Sequence, residues 1–110
     1  MGTITYDGTI VEFDDRTLAH LQVVIVQKFR AGESFLISWL DPMPAGNGRS
    51  SMWLTPHFPM HFRFAGSRSP EIDRSWLDAL ARSAASGAGL IVSNDRGQLV
   101  HALDQHRHKV

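Results

Sequence analysis

The residues with the most chemistry to offer lie between positions 49 and 76. Gly66-Ser67-Arg68-Ser69 puts a glycine-containing turn, two hydroxyls and a guanidinium directly ahead of Pro70 and Glu71. At the start of a helix, such a turn could hold a phosphate or carboxylate through backbone N–H groups and the helix dipole. The same residues also make an ordinary helix start, with Ser69 as N-cap, Pro70 in the first position and Glu71 in the first turn. Glu71 would stand beside any bound anion, and no Walker-type lysine accompanies the turn.

A second set interleaves Arg49, Arg63, Arg68 and Arg74 with Trp53, Phe58, Phe62, Phe64 and Trp76. Arginines alternating with aromatic rings can neutralise and stack on single-stranded nucleic acid, which makes Arg49, Trp53, Arg63 and Arg74 the candidate contacts. The competing reading is a solvated sheet face above a normal core, because Phe62 and Phe64 alternate as core residues do. Glu71 and Asp73 also offset two of the four charges.

No catalytic residue, metal site or cofactor is predicted. The six histidines read as surface or satisfied side chains. His57 and His61 flank Pro59, which forbids a shared helical face, and in extended chain they lie roughly 13 Å apart, too far to share a metal. His106 and His108 could chelate loosely, with no third ligand fixed by spacing. No nucleophile elbow is present, and Asp7, Asp14, Asp15 and Asp41 are explained by turns and caps. The absence of cysteine from the sequence excludes disulfides, Cys-ligated zinc and thiol catalysis.

Eleven Lys and Arg balance eleven Asp and Glu, which argues against tight charge-driven binding to nucleic acid or membranes. The first 55 residues carry four basic and six acidic side chains and the remainder seven and five, too slight an asymmetry to define a basic face. Strand-like sequence follows Met1 at once and no apolar run reaches membrane-spanning length, so a cytoplasmic protein without a signal peptide is expected.

The element around which these residues must be arranged is a helix over Asp15 to Ala31. Leu18, Leu21, Val24, Ile25 and Phe29 recur at three- and four-residue steps, Asp14 and Asp15 suit its start, and Lys28, Arg30 and Gly32 suit its end. Before it, Ile4–Tyr6 and Thr9–Phe13 flank Asp7-Gly8, a two-residue hairpin turn that pairs Tyr6 with Thr9 and Ile4 with Val11. After it come strands at 34–40, 50–55 and 60–65, with a mobile loop expected over 41–48. A second helix follows, with Ile72, Trp76, Leu77, Leu80, Ala81 and Ala84 on its buried side. A strand at 90–93 and an optional strand at 98–103 complete the order.

The fold class is therefore α+β, ββαβββαβ with an optional last strand, in a largely antiparallel sheet carrying two helices on one face. Residues 1–103 form one domain and 104–110 a polar tail that frays. Val23 and Val26 point away from the first helix's core stripe, and this surplus apolar surface is the candidate interface for self-association into a dimer.

Several stretches carry a family resemblance: the opening Met1–Thr9, Phe13–Gln22, Gly48-Arg49-Ser50-Ser51 with Trp53, and Phe64–Arg68 leading into Trp76. Over most of residues 1–90 the sequence resembles small actinobacterial proteins of unknown function that often carry the label "ATP-dependent DNA ligase". True ligases attack ATP with the lysine of Lys-x-Asp-Gly. Aligning Tyr6-Asp7-Gly8 with that motif puts Thr5 in the lysine position, and a hydroxyl cannot form the lysyl-AMP phosphoramidate. The reading is a small non-catalytic interaction or scaffold domain with an unknown protein partner; its alternative is a nucleotide- or nucleic-acid-binding protein linked to DNA ligation or repair.

Overall fold

Asp7 and Gly8 adopt φ of 47° and 81°, the two left-handed residues a type I′ turn requires, and close β1 (Gly2–Tyr6) onto β2 (Thr9–Phe13). The computed structural model describes residues 1–43 and 48–107; residues 44–47 of the expected loop and His108 lie outside the described residues. The hairpin register is the expected one, Tyr6 opposite Thr9 and Ile4 opposite Val11, which buries Ile4, Tyr6, Val11 and Phe13 on one face.

Helix α1 (Asp15–Arg30) starts at the Asp14 cap, whose carboxylate accepts the Thr17 N–H at 3.0 Å and the Thr17 hydroxyl at 2.6 Å. It stops where Gly32 turns to φ 73°. Leu18, Leu21, Val24 and Ile25 are buried as the periodicity requires, while Phe29 is half-buried against Phe35.

Strand β3 (Phe35–Leu40) runs between β4 (Arg49–Leu54), antiparallel, and β6 (Leu90–Ile91), parallel. That central position explains why its sequence is apolar on both sides. Strand β5 (Met60–Arg63) does not return onto β4. It pairs with β1, and a last strand, β7 (Asp104–Arg107), pairs with β2.

The fold is thus α+β in the expected element order, but with two mostly antiparallel sheets, β5-β1-β2-β7 and β4-β3-β6, in place of a single one. The turn Pro56-His57-Phe58-Pro59 makes the switch. Its two prolines cannot donate to a hairpin ladder. The Tyr6 hydroxyl holds its start by accepting the Thr55 N–H at 2.8 Å and donating to the Thr55 carbonyl at 3.2 Å.

Helix α2 (Arg74–Ala85) corrects the expected start at Ser69. Its N-cap is Asp73, whose carboxylate accepts the Trp76 N–H at 3.2 Å, so residues 69–73 are a non-helical lead-in and Ile72 lies at the surface, 42% exposed. Both helices pack on each other; α1 also lies against β1, and α2 against β3 and β6. Trp76, Leu77, Leu80 and Ala84 join the hairpin, α1 and β3 in one core.

The end of the chain is corrected as well. The optional strand at 98–103 is reduced to single bridges, Ser93 with Leu99 and Leu40 with His101. The expected fraying tail instead contains β7, joined to the four-stranded sheet where the Leu103 N–H donates to the Glu12 carbonyl at 2.7 Å.

Candidate binding cleft between the two sheets

A cleft of about 480 Å³ separates the edge strands β4 and β7. Its walls are runs of consecutive residues, Ser50–Trp53 on one side and Gln105–Arg107 on the other, with Tyr6, Asp7 and Thr9 closing one end and Trp39 below. Successive strand side chains point to opposite faces. A cavity that touches four in a row therefore views β4 along its edge.

The direction of the main-chain groups on that edge follows from the ends of the strand. The Asp41 N–H donates to the Gly48 carbonyl at 2.9 Å, extending the register in which Leu40 faces Arg49. Odd residues of β3 therefore exchange bonds with even residues of β4. Even residues of β3 serve the opposite side, since the Val92 N–H donates to Ser38 and the Leu40 N–H to Val100. At the far end, the Thr55 main chain is already turned outward to Tyr6. By alternation, the N–H and C=O groups of Arg49, Ser51 and Trp53 point outward along the free edge of β4, those of Ser51 and Trp53 into the cleft, and no described residue bonds them.

The same alternation applies across the cleft. The two-residue turn makes Tyr6 and Thr9 a bonded pair, so Ile10 and Glu12 are left to bond β7, and the main chains of Gln105 and Arg107 turn outward. The Gln105 N–H is taken by the Asp104 carboxylate at 2.9 Å.

The floor is a closed hydrogen-bond network. Trp39, 5% exposed, donates its indole N–H to Gln105 Oε1 at 2.6 Å. Gln105 Nε2 donates to Ser50 Oγ at 3.2 Å and to Asp41 Oδ1 at 3.3 Å, and Ser50 Oγ donates to Asp41 Oδ1 at 2.6 Å. His101 Nδ1 donates to the Asp41 main-chain oxygen at 2.7 Å. This is not a nucleophile with a base: the Ser50 hydroxyl donates directly to a carboxylate, and Nδ1 of His101 is bonded to a carbonyl. At the rim Trp53 is 62% exposed, and the Arg107 guanidinium lies over the Asp7-Gly8 turn.

The residues singled out from sequence are placed as follows. Trp53 lines the cleft and Arg49 shares its exposed strand face, while Arg63 is on β5 in the other sheet and Arg74 opens α2. These four sit on three separate elements. Gly66, Ser67, Arg68 and Ser69 precede α2 by several residues, so the helix dipole does not bear on them.

The leading N–H groups of that turn already meet an anion, because Asp15 accepts from Gly66 at 2.9 Å and from Ala65 at 3.1 Å. The Gly66 N–H first, then that of Ala65, hold the Asp15 carboxyl below its ordinary range. Val23 joins Gly66–Pro70, Phe64 and Ile72 in a groove of about 250 Å³, and Val26 is half-buried elsewhere on α1. His57 and His61 are exposed, and among the described residues no group of three His, Asp or Glu could hold a metal.

Sequence reading missed Gln105, His101 and the β7 wall. Asp104-Gln105-His106-Arg107 has no apolar alternation, because its one inward side chain is a glutamine engaged with Trp39. The available signal was indirect: a tryptophan on a central strand needs an acceptor for its N–H.

Together these features define a two-sheet α+β domain with a cleft at the junction of its sheet edges. Over residues 1–95 the chain matches the family described as a domain of unknown function (DUF7882), and it belongs to that family. No curated protein and no solved structure matches it. Among the described residues no helix is long and apolar enough to cross a membrane.

Proposed function

We propose that the chain is a non-catalytic interaction domain and that the cleft between β4 and β7 is its binding surface. The observation that carries this reading is the contrast between floor and walls. The floor side chains are engaged with one another, whereas the β4 wall presents unbonded main chain and a tryptophan 62% exposed. Tryptophan is among the residue types enriched at the energetic centres of protein contacts. A cysteine-free chain suits a reducing, cytoplasmic setting. The resemblance to proteins labelled as ligases adds no chemistry, since Thr5 is a mid-strand residue paired with Ile10 and His61. Self-association through α1, at Val23 and Val26, belongs to the same interaction reading.

A photocrosslinking residue introduced at Trp53 in native cells tests the proposal, with the same residue at Arg96, exposed and outside both the cleft and α1, as control. Crosslinks to a polypeptide from position 53 and none from position 96 are expected. Equal crosslinking from both positions, or none from either, would remove the cleft as the binding surface.

A further inference from the structure

We infer that the ligand of this cleft is an extended segment of a partner polypeptide, held as an added β-strand with β4 on one side and β7 on the other. The inference rests on the interaction reading above and adds the kind of partner. Its first support is main-chain geometry. Arg49, Ser51 and Trp53 present N–H and C=O groups along the free edge of β4 at every second residue, the last two within the cleft, a repeat of roughly 6.8 Å that only another extended backbone matches. A helix has no free main chain to offer along its length, and a compact small molecule would meet one such pair at most.

The second support is the separation of the two edges. Gln105 on β7 reaches Ser50 on β4 only through both side chains, at 3.2 Å, so the two main chains are not paired with each other, and a strand placed between them needs about two inter-strand spacings, ~9.6 Å. The bridge runs below the edges, on the inward face with Trp39, so it floors the gap without occupying it.

The third support is the sequence of the edge. Natural edge strands are blunted by proline, by inward-pointing charge or by a cover. Strand β5 follows Pro59 and carries exposed His61 and Arg63, whereas Arg49-Ser50-Ser51-Met52-Trp53-Leu54 has no proline and one charge, at its first residue. An added strand would join β5-β1-β2-β7 to β4-β3-β6 as a continuous sheet. A second copy of the whole chain fits less well, because the β1–β2 hairpin and β7 stand across the cleft where the copy's own sheet would have to enter.

The test uses the full chain and a ten-residue peptide selected from a randomised display library. Ser51→Pro removes a main-chain N–H that faces the cleft and leaves the β3 ladder intact; Ser51→Ala removes only the hydroxyl. The proposal expects wild type and Ser51→Ala to bind alike and Ser51→Pro to bind about tenfold more weakly with an unchanged circular dichroism spectrum. Methylation of alternate peptide nitrogens should weaken binding in one phase only, and the amides of Arg49, Ser51 and Trp53 should gain protection from hydrogen exchange.

If Ser51→Pro does not fold, the methylation series and the exchange data decide. A peptide that perturbs the cleft but tolerates methylation in both phases would overturn strand addition and leave the interaction reading standing. A library that yields no cleft binder would overturn both. A wild type that is dimeric, with its β4 amides protected in the absence of peptide, would replace the partner strand with a second copy.

Discussion

The Asp15 carboxylate accepts the Gly66 N–H at 2.9 Å and the Ala65 N–H at 3.1 Å, tying the start of α1 to the turn that follows β5 across 50 residues of chain. The turn has the composition of an anion cradle because it is one, and the anion is internal. Its carboxyl is held below the ordinary value of 3.8, first by Gly66 and then by Ala65. A carboxylate whose folded pKa is depressed contributes stability that is fully present above the unfolded pKa and is lost as pH falls through the folded one.

Asp15→Asn should therefore lower the urea midpoint at neutral pH. The difference from wild type should hold constant down to about pH 5 and close progressively as the pH falls through and below 3.8. A gap of equal size at neutral pH and well below the ordinary carboxylate range would mean that the charge is not what holds the turn.

His20 is fully buried and joins the two helices. Its Nε2 accepts the Asp73 N–H at 2.9 Å, which fixes the proton on Nδ1, and Nδ1 donates to the Arg16 carbonyl at 2.8 Å. The ring stacks on Trp76 at 4.0 Å, and the Arg16 guanidinium sits 5.0 Å from the centre of the Trp76 ring. His20→Phe keeps the stack but orphans the N–H that leads into α2, and should cost about 1–3 kcal/mol. His20→Ala also opens a cavity and should cost about 3–5 kcal/mol. Chemical denaturation that ranks the two in the reverse order would show that the imidazole is tolerated in the core without organising it.

A ligase reading of the Tyr6-Asp7-Gly8 stretch would predict a covalent intermediate, and the residues here predict none. Thr5 lies in β1 between Ile10 and His61 and brings a hydroxyl where an amine nucleophile is required. After incubation with ATP and magnesium or manganese, the intact mass should remain that of the 12.3 kDa chain. An AMP adduct on any residue would end the non-catalytic reading.

The parts of the fold set by local chemistry were legible in the sequence. Asp7-Gly8 specified the hairpin and its register, and the Asp14 cap, the Leu18–Ile25 stripe and Gly32 specified α1. Long-range choices were not. Nothing near Thr55 in the chain announces that Tyr6, 49 residues away, will capture its main chain and send β5 to the other sheet. The start of α2 was misplaced because Ser69 and Pro70 form a good local cap, while the cap actually used, Asp73, is selected by a tertiary bond from its own N–H to His20. The cleft was half legible: Trp53 stood out by type, but β7 follows no apolar pattern and its role depends on a single glutamine.

The apolar surface of α1 makes the last prediction. Val23 is half-buried and packs only in part on the core; its remaining surface lines the groove with Phe64, Arg68 and Ile72, and Val26 is half-buried on the same helix. Two β-branched residues outside the core stripe lower helix propensity slightly, so burial against another surface is what would offset them. The balance of eleven basic and eleven acidic residues leaves little long-range repulsion between copies near neutral pH. A symmetric pair is the commonest way to bury such a surface. Sedimentation at micromolar concentration should then report about twice the 12.3 kDa chain mass, and Val23→Glu should return it to monomer with an unchanged circular dichroism spectrum. The β4 amides should stay unprotected in that dimer, which separates association through α1 from pairing at the cleft. A wild type that remains monomeric at high concentration would leave Val23 as part of a groove that no second copy covers.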